Sequence, residues 1–317
     1  MYAMKFDANR NFIWTEVPDP ERKAGEVIID IRAAGLNRAD LLQCAGNYPP
    51  PPGWPEWPGL ECAGVISQAG ADSRWKVGDQ VCALLGGGGY AQKVAVPEAM
   101  VLPVPRGFSM TQAAALPEVF ATAWLNLIIE AGLKKDDRIL IQAGASGLGI
   151  AAIQLAKAFG AEVITTVGNE QKEETVRKLG ADIVINRKKE KISAVLAEHP
   201  IDIALDCVGG PALGECFDTM ARGGRWILIA TLAGTQTEIS LRSVLSKGLR
   251  LIGSTLRSRS TEMKGRILAD LESNLWPLFE NKQMQPFIYR VLPMTEAAEA
   301  HSILERQENI GKVILEN

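Results

Sequence analysis

The hydrophobic pattern of the chain changes near residue 118. Before that point, short apolar runs punctuated by Gly and Pro predict β-strands, among them residues 26–31 and 62–66. From about 118 to 255, short apolar runs alternate with stretches of helical period, which predicts a doubly wound parallel sheet. The predicted strands are residues 139–142, 162–167, 182–185, 202–206, 225–230 and 249–253, with helices such as 172–179 and 212–221 between them.

Several shorter elements can also be predicted. Residues 37–42 are typical of the start of a short helix, and residues 48–59 of a stiff loop rich in proline and aromatic side chains. Residues 261–281 predict one helix, and residues 286–317 predict a strand, a helix and a closing strand at 310–315. The most apolar run, residues 119–129, is too short to cross a bilayer, so it predicts a buried helix.

A glycine-rich turn joins the first parallel strand to the helix that follows it. Gly144, Gly147 and Gly149 fall within six residues, and the helical period after them ends at Gly160. Glycines at such a turn let backbone N–H groups approach a phosphate, and a helix N-terminus favours negative charge. The G-x-x-G-x-G spacing alone is a weak signal, with a tight turn that binds nothing as the alternative. The strands and helices around it favour a dinucleotide site.

The tip of the next predicted strand distinguishes between two nicotinamide cofactors. An NAD site would place Asp or Glu there to accept a bond from the ribose 2′-hydroxyl, but the tip is Gly168-Asn169, and Glu170 comes one position late. Lys172 follows, and Arg187 comes after the third strand. A missing carboxylate with cations nearby suits a 2′-phosphate, so the sequence favours NADPH. The alternative for both cations is solvated surface charge.

Composition is that of a globular protein from a reducing compartment. A chain of 317 residues, 47% hydrophobic and 22% charged, is long enough for two domains. Its net charge of −3 shows no excess of basic residues of the kind that binds nucleic acid. The 5 cysteines are scattered without Cys-x-x-Cys spacing, which argues against disulfides and a structural zinc. The N-terminus shows no signal-peptide h-region, and we expect a cytoplasmic protein without a membrane partner.

Several motifs resemble the medium-chain dehydrogenase/reductase superfamily, in its zinc-free quinone oxidoreductase branch. They lie at residues 35–40, 59–64, 78–79, 112–117, 144–149, 256–259 and 309–312, together with Tyr48 and the prolines after it. The resemblance implies an α/β protein in which a doubly wound Rossmann domain for NADPH, residues 118–255, is inserted into a β-rich GroES-like catalytic domain, residues 1–117 and 256–317. One departure is Arg187, which stands where a Tyr is common in the family.

The resemblance also implies roles for residues at matching positions. Asn37 and Thr122 would lie near the nicotinamide, and Tyr48 would border the substrate cleft as a stacking surface or hydrogen-bond donor. The implied catalytic residues are Asn37, Tyr48 and Asp40, although Asn37 and Asp40 are also good helix caps. The other implied cofactor residues are Gly144, Ser146, Gly147, Leu148, Gly149, Gly168, Asn169, Lys172, Arg187, Val208, Gly209, Ala230, Thr231, Leu256 and Asn309.

The resemblance further implies a homodimer. The last predicted strand of the parallel sheet, residues 249–253, would leave an open edge, and an exposed edge can pair with a second copy.

Zinc-dependent members of the superfamily need soft and imidazole ligands, which this chain does not offer at the matching positions. Their first cysteine ligand aligns with Asn37, their histidine with Leu60, and their four-cysteine lobe is absent. The 2 histidines, His199 and His301, are predicted to be surface or capping residues, which also argues against a Ser-His-Asp triad.

Three functions follow as hypotheses. Without a Lewis acid, an unactivated alcohol is hard to oxidise, whereas quinones and conjugated carbonyls are already electrophilic. We therefore expect an NADPH-dependent quinone oxidoreductase whose chain positions a small-molecule acceptor for hydride transfer. A reductase of α,β-unsaturated aldehydes or ketones is the alternative. A non-catalytic NADPH-binding sensor is a third hypothesis, against which the intact substrate cleft argues.

Overall fold

The structure, a computed structural model, describes residues 1–7 and 10–317. Up to residue 124 its elements are β1 (Tyr2–Phe6), β2 (Phe12–Glu16), β3 (Glu26–Gly35), α1 (Arg38–Cys44), β4 (Glu61–Gln68), β5 (Gln80–Leu84), β6 (Lys93–Pro97), β7 (Val101–Pro103), α2 (Met110–Ala113) and α3 (Pro117–Trp124). A π-helix, Leu125–Glu130, continues α3.

The middle of the chain alternates strands and helices. Its elements are β8 (Arg138–Ile141), α4 (Gly147–Ala158), β9 (Glu162–Val167), α5 (Glu170–Lys178), β10 (Ile183–Asn186), α6 (Ile192–Glu198), β11 (Ile203–Asp206), α7 (Pro211–Phe217), β12 (Arg225–Leu228), α8 (Leu241–Lys247) and β13 (Arg250–Gly253). The last stretch holds α9 (Thr261–Asn274), α10 (Trp276–Glu280), β14 (Ile288–Pro293), α11 (Ala297–Glu305) and β15 (Lys312–Glu316).

The chain forms two compact units. Residues 1–121 and 257–317 form the β-rich unit, and residues 122–256 form the parallel-sheet unit.

The parallel-sheet unit is the predicted doubly wound sheet. Its strand order is β10-β9-β8-β11-β12-β13, and every neighbouring pair is parallel. Each predicted strand is confirmed. Leu140, Ile164 and Trp226 are among the side chains of one core cluster of this unit. The chain leaves β8 toward β9 on one side and later returns to β11 on the other, and a crevice at such a point is where nucleotides bind.

The β-rich unit is built on a seven-stranded mixed sheet. Its order is β14-β15-β3-β4-β5-β7, and β6 pairs with β3 off this path. β15 lies antiparallel to β3, with Ile314 opposite Gly35, so the end of the chain returns to the strand that leads into α1. This register brings residues near 312 close to residues near 37.

One helix prediction was wrong, and a second was right in kind but too short. Residues 261–281 form two helices, because the ring of Pro277 clashes with the preceding turn and lacks an N–H, and it lies instead in the first turn of α10. The apolar run at 119–129 belongs to a longer helical stretch, Met110–Glu130, which by length and composition could span a membrane. Because 72% of its apolar window is buried inside the protein, it is placed as a core helix, as predicted.

Candidate active site

The glycine turn after β8 depends on close backbone approach. Ala143 takes a left-handed conformation, with φ 56°. A Cβ on Gly144 would lie 1.9 Å from the Thr165 side chain, and a Cβ on Gly149 would lie 2.5 Å from the carbonyl oxygen of Ala143. The Ser146 hydroxyl caps α4 by accepting a bond of 3.0 Å from the Gly149 N–H. Only glycine fits at residues 144 and 149 without a shift of the turn.

The first turn of α4 stays accessible. Gly147 and Leu148, which open the helix, are half-buried, as is Ser146 before them. The first N–H groups of a helix have no partner inside it, and together with the macrodipole they favour an anion. The turn therefore has the shape and the donors to hold a pyrophosphate.

The guanidinium of Arg187 lies where a side chain on Gly168 would be. β10 pairs with β9, and the Arg187 N–H donates to the Val167 carbonyl at 3.1 Å. A Cβ on Gly168 would lie 3.3 Å from Nη2 of Arg187, so the missing side chain leaves room for the guanidinium. Asn169 caps α5, because its Oδ1 accepts a bond of 2.9 Å from the Lys172 N–H.

Positive charges gather at this strand tip. The pKa of Lys172 is lowered by burial, and further by the charges of Arg187 and Lys188. Glu170, the carboxylate that follows Asn169, is instead paired with Lys189 at 2.7 Å and is 80% exposed. The tip therefore presents cations where an NAD site would present a carboxylate.

The loops after β11 and β12 meet at the same end of the sheet. Asp206 accepts from the Val208 N–H at 2.7 Å and from the Gly209 N–H at 3.0 Å. A Cβ on Gly209, which has φ 61°, would lie 3.3 Å from the Cα of Thr231 and 3.4 Å from the Ala230 carbonyl oxygen. Four of the predicted cofactor residues are thus neighbours.

Three further predicted cofactor residues have other surroundings. The Thr122 carbonyl accepts a bond of 2.7 Å from the Asn126 amide. The Asn309 amide donates to the Gly311 carbonyl at 2.7 Å, and Leu256 is buried. Their cofactor contacts stay predictions.

A buried ion pair fixes the side chain of Asn37 in the β-rich unit. Asn37 Oδ1 accepts from Lys312 Nζ at 2.9 Å, and Asn37 Nδ2 donates to Glu61 Oε1 at 2.9 Å. Lys312 also forms an ion pair with Glu61 and donates to the Leu36 carbonyl at 2.5 Å. Lys312 is 4% exposed and Glu61 is fully buried, so the orientation of the Asn37 amide depends on two desolvated charges.

Asp40 is fully buried and is joined to this network through the backbone N–H of Asn37. Its carboxylate accepts from the Asn37 N–H at 2.8 Å, the Gly59 N–H at 3.0 Å and the Tyr90 hydroxyl at 3.3 Å. Burial raises its pKa to about 6. Asp40 therefore acts as a helix cap, the alternative considered from the sequence, and a direct part in chemistry stays a prediction.

The prediction that His301 is a surface or capping residue was wrong. Its ring is buried, with Nε2 3.2 Å from the Tyr90 hydroxyl and Nδ1 3.7 Å from the Cys44 sulfur. Burial lowers the pKa of His301 to about 4 and raises that of Cys44 to about 12. His301 shares the buried face of α11 with Ala297 and Leu304, which are four and three residues away, so the helical period already pointed inward. His199 is the C-cap of α6, as predicted.

The proline-rich loop at residues 48–59 lies directly on the glycine run 86–89. A Cβ on Gly86 would lie 2.6 Å from the Trp54 ring, and one on Gly88 would lie 2.8 Å from Pro55. The Trp57 indole donates to the Gly88 carbonyl at 3.2 Å. The glycines let the loop approach this closely, which rigidifies it.

Arg257 joins the start of this loop to the glycine run. Its Nη1 donates to the Tyr48 carbonyl at 3.0 Å, and its Nε donates to the Gly86 carbonyl at 3.0 Å. Its Cζ also lies over the Tyr48 ring, 4.6 Å from the centroid. The half-buried Tyr48 is therefore held by both its backbone and its ring.

Glu118 is a site candidate that the sequence did not reveal. It is half-buried in the first turn of α3, and its N–H donates to Glu61 Oε2 at 2.8 Å. Burial, and then the charge of Glu61, raise its pKa to about 8. This shift favours the protonated carboxyl group at neutral pH. An acidic residue in a first helical turn is common, so no local pattern distinguished Glu118 from an ordinary helix start.

The donor set does not fit a catalytic zinc. Among residues 1–7 and 10–317, no group of three or more His, Cys, Asp or Glu side chains could hold a metal ion. Leu60 is apolar and buried, and Glu61 is occupied by Lys312. A catalytic zinc needs three protein ligands of this kind.

Comparison with known proteins agrees with this architecture. The chain matches the family models of the alcohol dehydrogenase GroES-like domain over residues 23–106 and of zinc-binding dehydrogenase over residues 147–272. It is 30% identical over 308 residues to the quinone oxidoreductase of Sus scrofa, covering 95% of this chain and 92% of that protein.

Solved structures show the same fold over the whole chain. The quinone oxidoreductase of Thermus thermophilus, also solved in complex with NADPH, is 28% identical with a TM-score of 0.86, and all of both chains is covered. An NAD-dependent alcohol dehydrogenase gives the same identity of 28%, TM-score of 0.86 and full coverage. The chain therefore belongs to the medium-chain dehydrogenase/reductase superfamily, as a nicotinamide-dependent oxidoreductase related to the quinone oxidoreductases.

Proposed function

We propose that the protein reduces quinones with NADPH, by hydride transfer and without a metal ion. The observation that carries the cofactor choice is the Arg187 guanidinium above Gly168, with Lys172 beside it. Cations held close together repel each other, and a 2′-phosphate would relieve that repulsion through charge-assisted hydrogen bonds. The nearest carboxylate in the sequence, Glu170, is directed to Lys189 instead.

The residues of the parallel-sheet unit would hold the cofactor by shape and charge. When bound, NADPH supplies the hydride. The turn at residues 143–149 and the first turn of α4 would take the pyrophosphate, and Arg187 with Lys172 would take the 2′-phosphate. The loops at Val208–Gly209 and Ala230–Thr231 would border the groove toward the nicotinamide. Binding in this way fixes the cofactor before reaction, which lowers the entropic part of the barrier.

The residues of the β-rich unit would place the acceptor. The loop that begins at Tyr48 is rigid, so little entropy is lost when a flat molecule packs on it. Burial raises the pKa of Tyr48, so its phenol is protonated at neutral pH and can donate a hydrogen bond. A quinone that accepts hydride becomes a delocalised hydroquinone anion, which water can protonate. A Lewis acid is therefore unnecessary, in keeping with a donor set that does not fit zinc.

Reduction of α,β-unsaturated aldehydes or ketones is a second candidate, and one observation favours it. Hydride addition to such a carbonyl leaves an enolate, which needs a proton donor more than a hydroquinone anion does. The pKa of Glu118 is raised to about 8, which favours its protonated form at neutral pH, and in its ionised form the charge of Glu118 raises the pKa of Tyr48. A carboxyl group of this kind could supply a proton.

Turnover assays separate these functions. We expect NADPH oxidation with quinones, slower oxidation with enals and enones, and little activity with NADH. Activity should survive dialysis against a chelator, and elemental analysis should find no stoichiometric zinc. Faster turnover with enals would favour the second candidate, and NADPH binding without turnover of either class would favour a sensor. Stoichiometric zinc whose removal abolishes activity would refute the metal-free mechanism.

We also propose a homodimer that forms through the parallel-sheet unit. β13 is the last strand of the sheet, and most of its residues are exposed. Leu241 and Leu245, one turn apart on α8, are 76% and 86% exposed, and Leu251 on β13 is 44% exposed. An open edge beside exposed leucines is typical of an interface between copies. Light scattering should give twice the 34.3 kDa chain mass, and L241K/L245K should give a monomer; a monomeric wild type would contradict the proposal.

We also propose that the protein is cytoplasmic. All five cysteines are free thiols, and burial raises the pKa of Cys62, Cys82 and Cys216. Thiols of this kind are unreactive and persist where disulfides do not form.

A further inference from the structure

Arg257 is buried by a set of contacts that are all made to neutral groups. It is 8% exposed, and it donates to the Gly86 carbonyl from Nε at 3.0 Å and from Nη2 at 2.7 Å. It also donates to the Gln43 side-chain oxygen at 2.6 Å and to the Tyr48 carbonyl at 3.0 Å. One side chain thus ties together α1, the proline-rich loop and the glycine run.

The hydrogen bonds of the Arg257 guanidinium end on neutral oxygens, those of Gly86, Tyr48 and Gln43. The charges of Asp40 and Glu118 also act on it and favour its charged form. Lys264, a second buried cation, donates to the Arg257 carbonyl at 2.8 Å. Burial lowers the pKa of both cations. A desolvated charge whose direct hydrogen-bond partners are all neutral is costly for a fold, and such groups concentrate at functional sites.

The guanidinium lies against one face of the ring of Tyr48, a residue that the proposed function places beside the acceptor. Its Cζ is 4.6 Å from the centroid of the Tyr48 ring, a cation–π distance, while Tyr48 remains half-buried. Holding the Tyr48 carbonyl and ring together fixes the orientation of the ring. An acceptor stacked on the other face of the ring would therefore be exposed to the positive charge of Arg257.

We propose that Arg257 is the positioning residue of the acceptor site, which fixes the Tyr48 ring and biases the site toward acceptors whose reduction leaves negative charge on an oxygen. This inference rests on the proposed function. Quinones are such acceptors, because two electrons and one proton enter as hydride and leave a hydroquinone anion.

The two parts of this role affect different kinetic constants. A fixed ring binds the flat acceptor before and during reaction, so loss of the ring's position raises KM. The positive charge interacts more strongly with the anion that forms than with the neutral quinone, so loss of the charge lowers kcat. Arg257→Met removes the charge and keeps a similar stem, and Arg257→Lys keeps the charge without the planar fork.

The first experiment measures quinone reduction by both variants with saturating NADPH. We expect Arg257→Met to lower kcat by about 2- to 30-fold, the range of a cation–π contact, and Arg257→Lys to recover most of kcat while KM stays raised. In a Tyr48→Leu background, Arg257→Met should have a smaller effect on KM, because the two residues act together. Arg74, whose Cζ lies 4.3 Å from the Trp75 ring, is the matched control, and Arg74→Met should change neither constant.

The second experiment needs no substrate and distinguishes charge from loop packing. A fluorotyrosine is placed at position 48, and its phenol is titrated in wild type, Arg257→Met and Arg257→Lys. Burial raises the pKa of Tyr48 and the charge of Arg257 lowers it, so loss of the charge should raise this pKa further. In Arg257→Lys it should stay near the wild-type value. If Arg257 only holds the proline-rich loop against the glycine run, both variants should expose the Tyr48 phenol to water, and its pKa should fall instead.

The outcomes can be told apart. Unchanged kcat in Arg257→Met, or a Tyr48 pKa that falls or stays constant, would overturn the inference. If Arg257→Met does not fold, Arg257→Gln also removes the charge and keeps a donor for the Gly86 carbonyl. A wild type that reduces neither quinones nor conjugated carbonyls refutes the proposed function, whereas an active wild type with insensitive Arg257 variants refutes only the inference.

Discussion

The candidate sites of the two units are built from different kinds of groups. In the parallel-sheet unit, the candidate site consists of backbone groups at strand ends and of cations at the surface, such as Arg187. In the β-rich unit, it rests on buried charges from distant parts of the chain. Lys312 and Glu61 are 251 residues apart, and Arg257 and Tyr48 are 209 residues apart.

Because of this difference, we expect substitutions in the parallel-sheet unit to affect ligand binding and substitutions in the β-rich unit to affect the free energy of unfolding as well. A substitution of a surface cation would remove its proposed interaction with the cofactor and leave the fold intact. A substitution inside a buried charge network leaves its partner desolvated, so it costs folding free energy as well as function. The same type of change should therefore have different consequences in the two units.

The largest effect is expected from the buried ion pair. Lys312→Met leaves Glu61 buried without its cation, which should reduce the free energy of unfolding by about 3–5 kcal/mol. Chemical denaturation followed by circular dichroism measures this loss. Lys93→Met, which breaks the exposed pair with Asp19, is the control and should cost about 1 kcal/mol or less. A small loss in Lys312→Met would show that the network does not support the unit, whereas recovery in Lys312→Met/Glu61→Leu would confirm a desolvated charge as the cause.

A smaller effect is expected from pH. The folded pKa of Glu118 is about 8 and its ordinary value is 4.5, so between these pH values the folded state holds a proton that the unfolded state has lost. Stability therefore falls as pH rises through this window, by at most about 1.4 kcal/mol per pH unit.

Glu118→Gln, which imitates the protonated carboxyl group, should remove that slope. Asp40, with a folded pKa of about 6, contributes with the same sign at lower pH, so the comparison is made between pH 6 and 8. Denaturation midpoints of wild type and Glu118→Gln should diverge toward pH 8, with the variant more stable. Parallel curves would show that Glu118 is ionised in the folded protein.

The smallest effect is expected at Tyr48. If Tyr48 shapes the acceptor site without donating an essential proton, Tyr48→Phe should leave kcat for a good quinone nearly unchanged. Tyr48→Ala should mainly raise KM, by about 2- to 10-fold for a lost aromatic contact. A large loss of kcat in Tyr48→Phe would make the hydroxyl a transition-state donor and favour the reduction of conjugated carbonyls.

The sequence predicted the parallel-sheet unit more completely than the β-rich one, for a physical reason. A buried parallel strand, a glycine turn and an amphipathic helix each leave a local pattern, so the strand ends and the approach of Arg187 to Gly168 could be anticipated. Ala143 is an exception, because its left-handed backbone is not expected of alanine.

The buried network could not be predicted in the same way. Its members come together only through the pairing of β15 with β3 and through the contacts of the proline-rich loop. Glu61, Arg257 and Lys312 each lie in a stretch that carried the family resemblance, but nothing in a local pattern assigns them partners. His301 was misplaced because a histidine was assumed to lie outside, although the period of α11 directs it inward.

The most direct test of the proposed function is the affinity of the two reduced cofactors for wild type and for Lys172→Gln/Arg187→Gln. Fluorescence titration should show tighter binding of NADPH than of NADH to the wild type. The double variant should lose about 1–3 kcal/mol of NADPH binding for each charged contact and should bind NADH as before.

The matched control is Arg177→Gln/Lys178→Gln. Both residues lie on α5, the helix that carries Lys172, and both pair with glutamates of that helix. Gly149→Ala should weaken both cofactors alike, because a Cβ there displaces the turn. Equal affinity of the wild type for NADPH and NADH, or equal losses for both in the double variant, would contradict the proposed function.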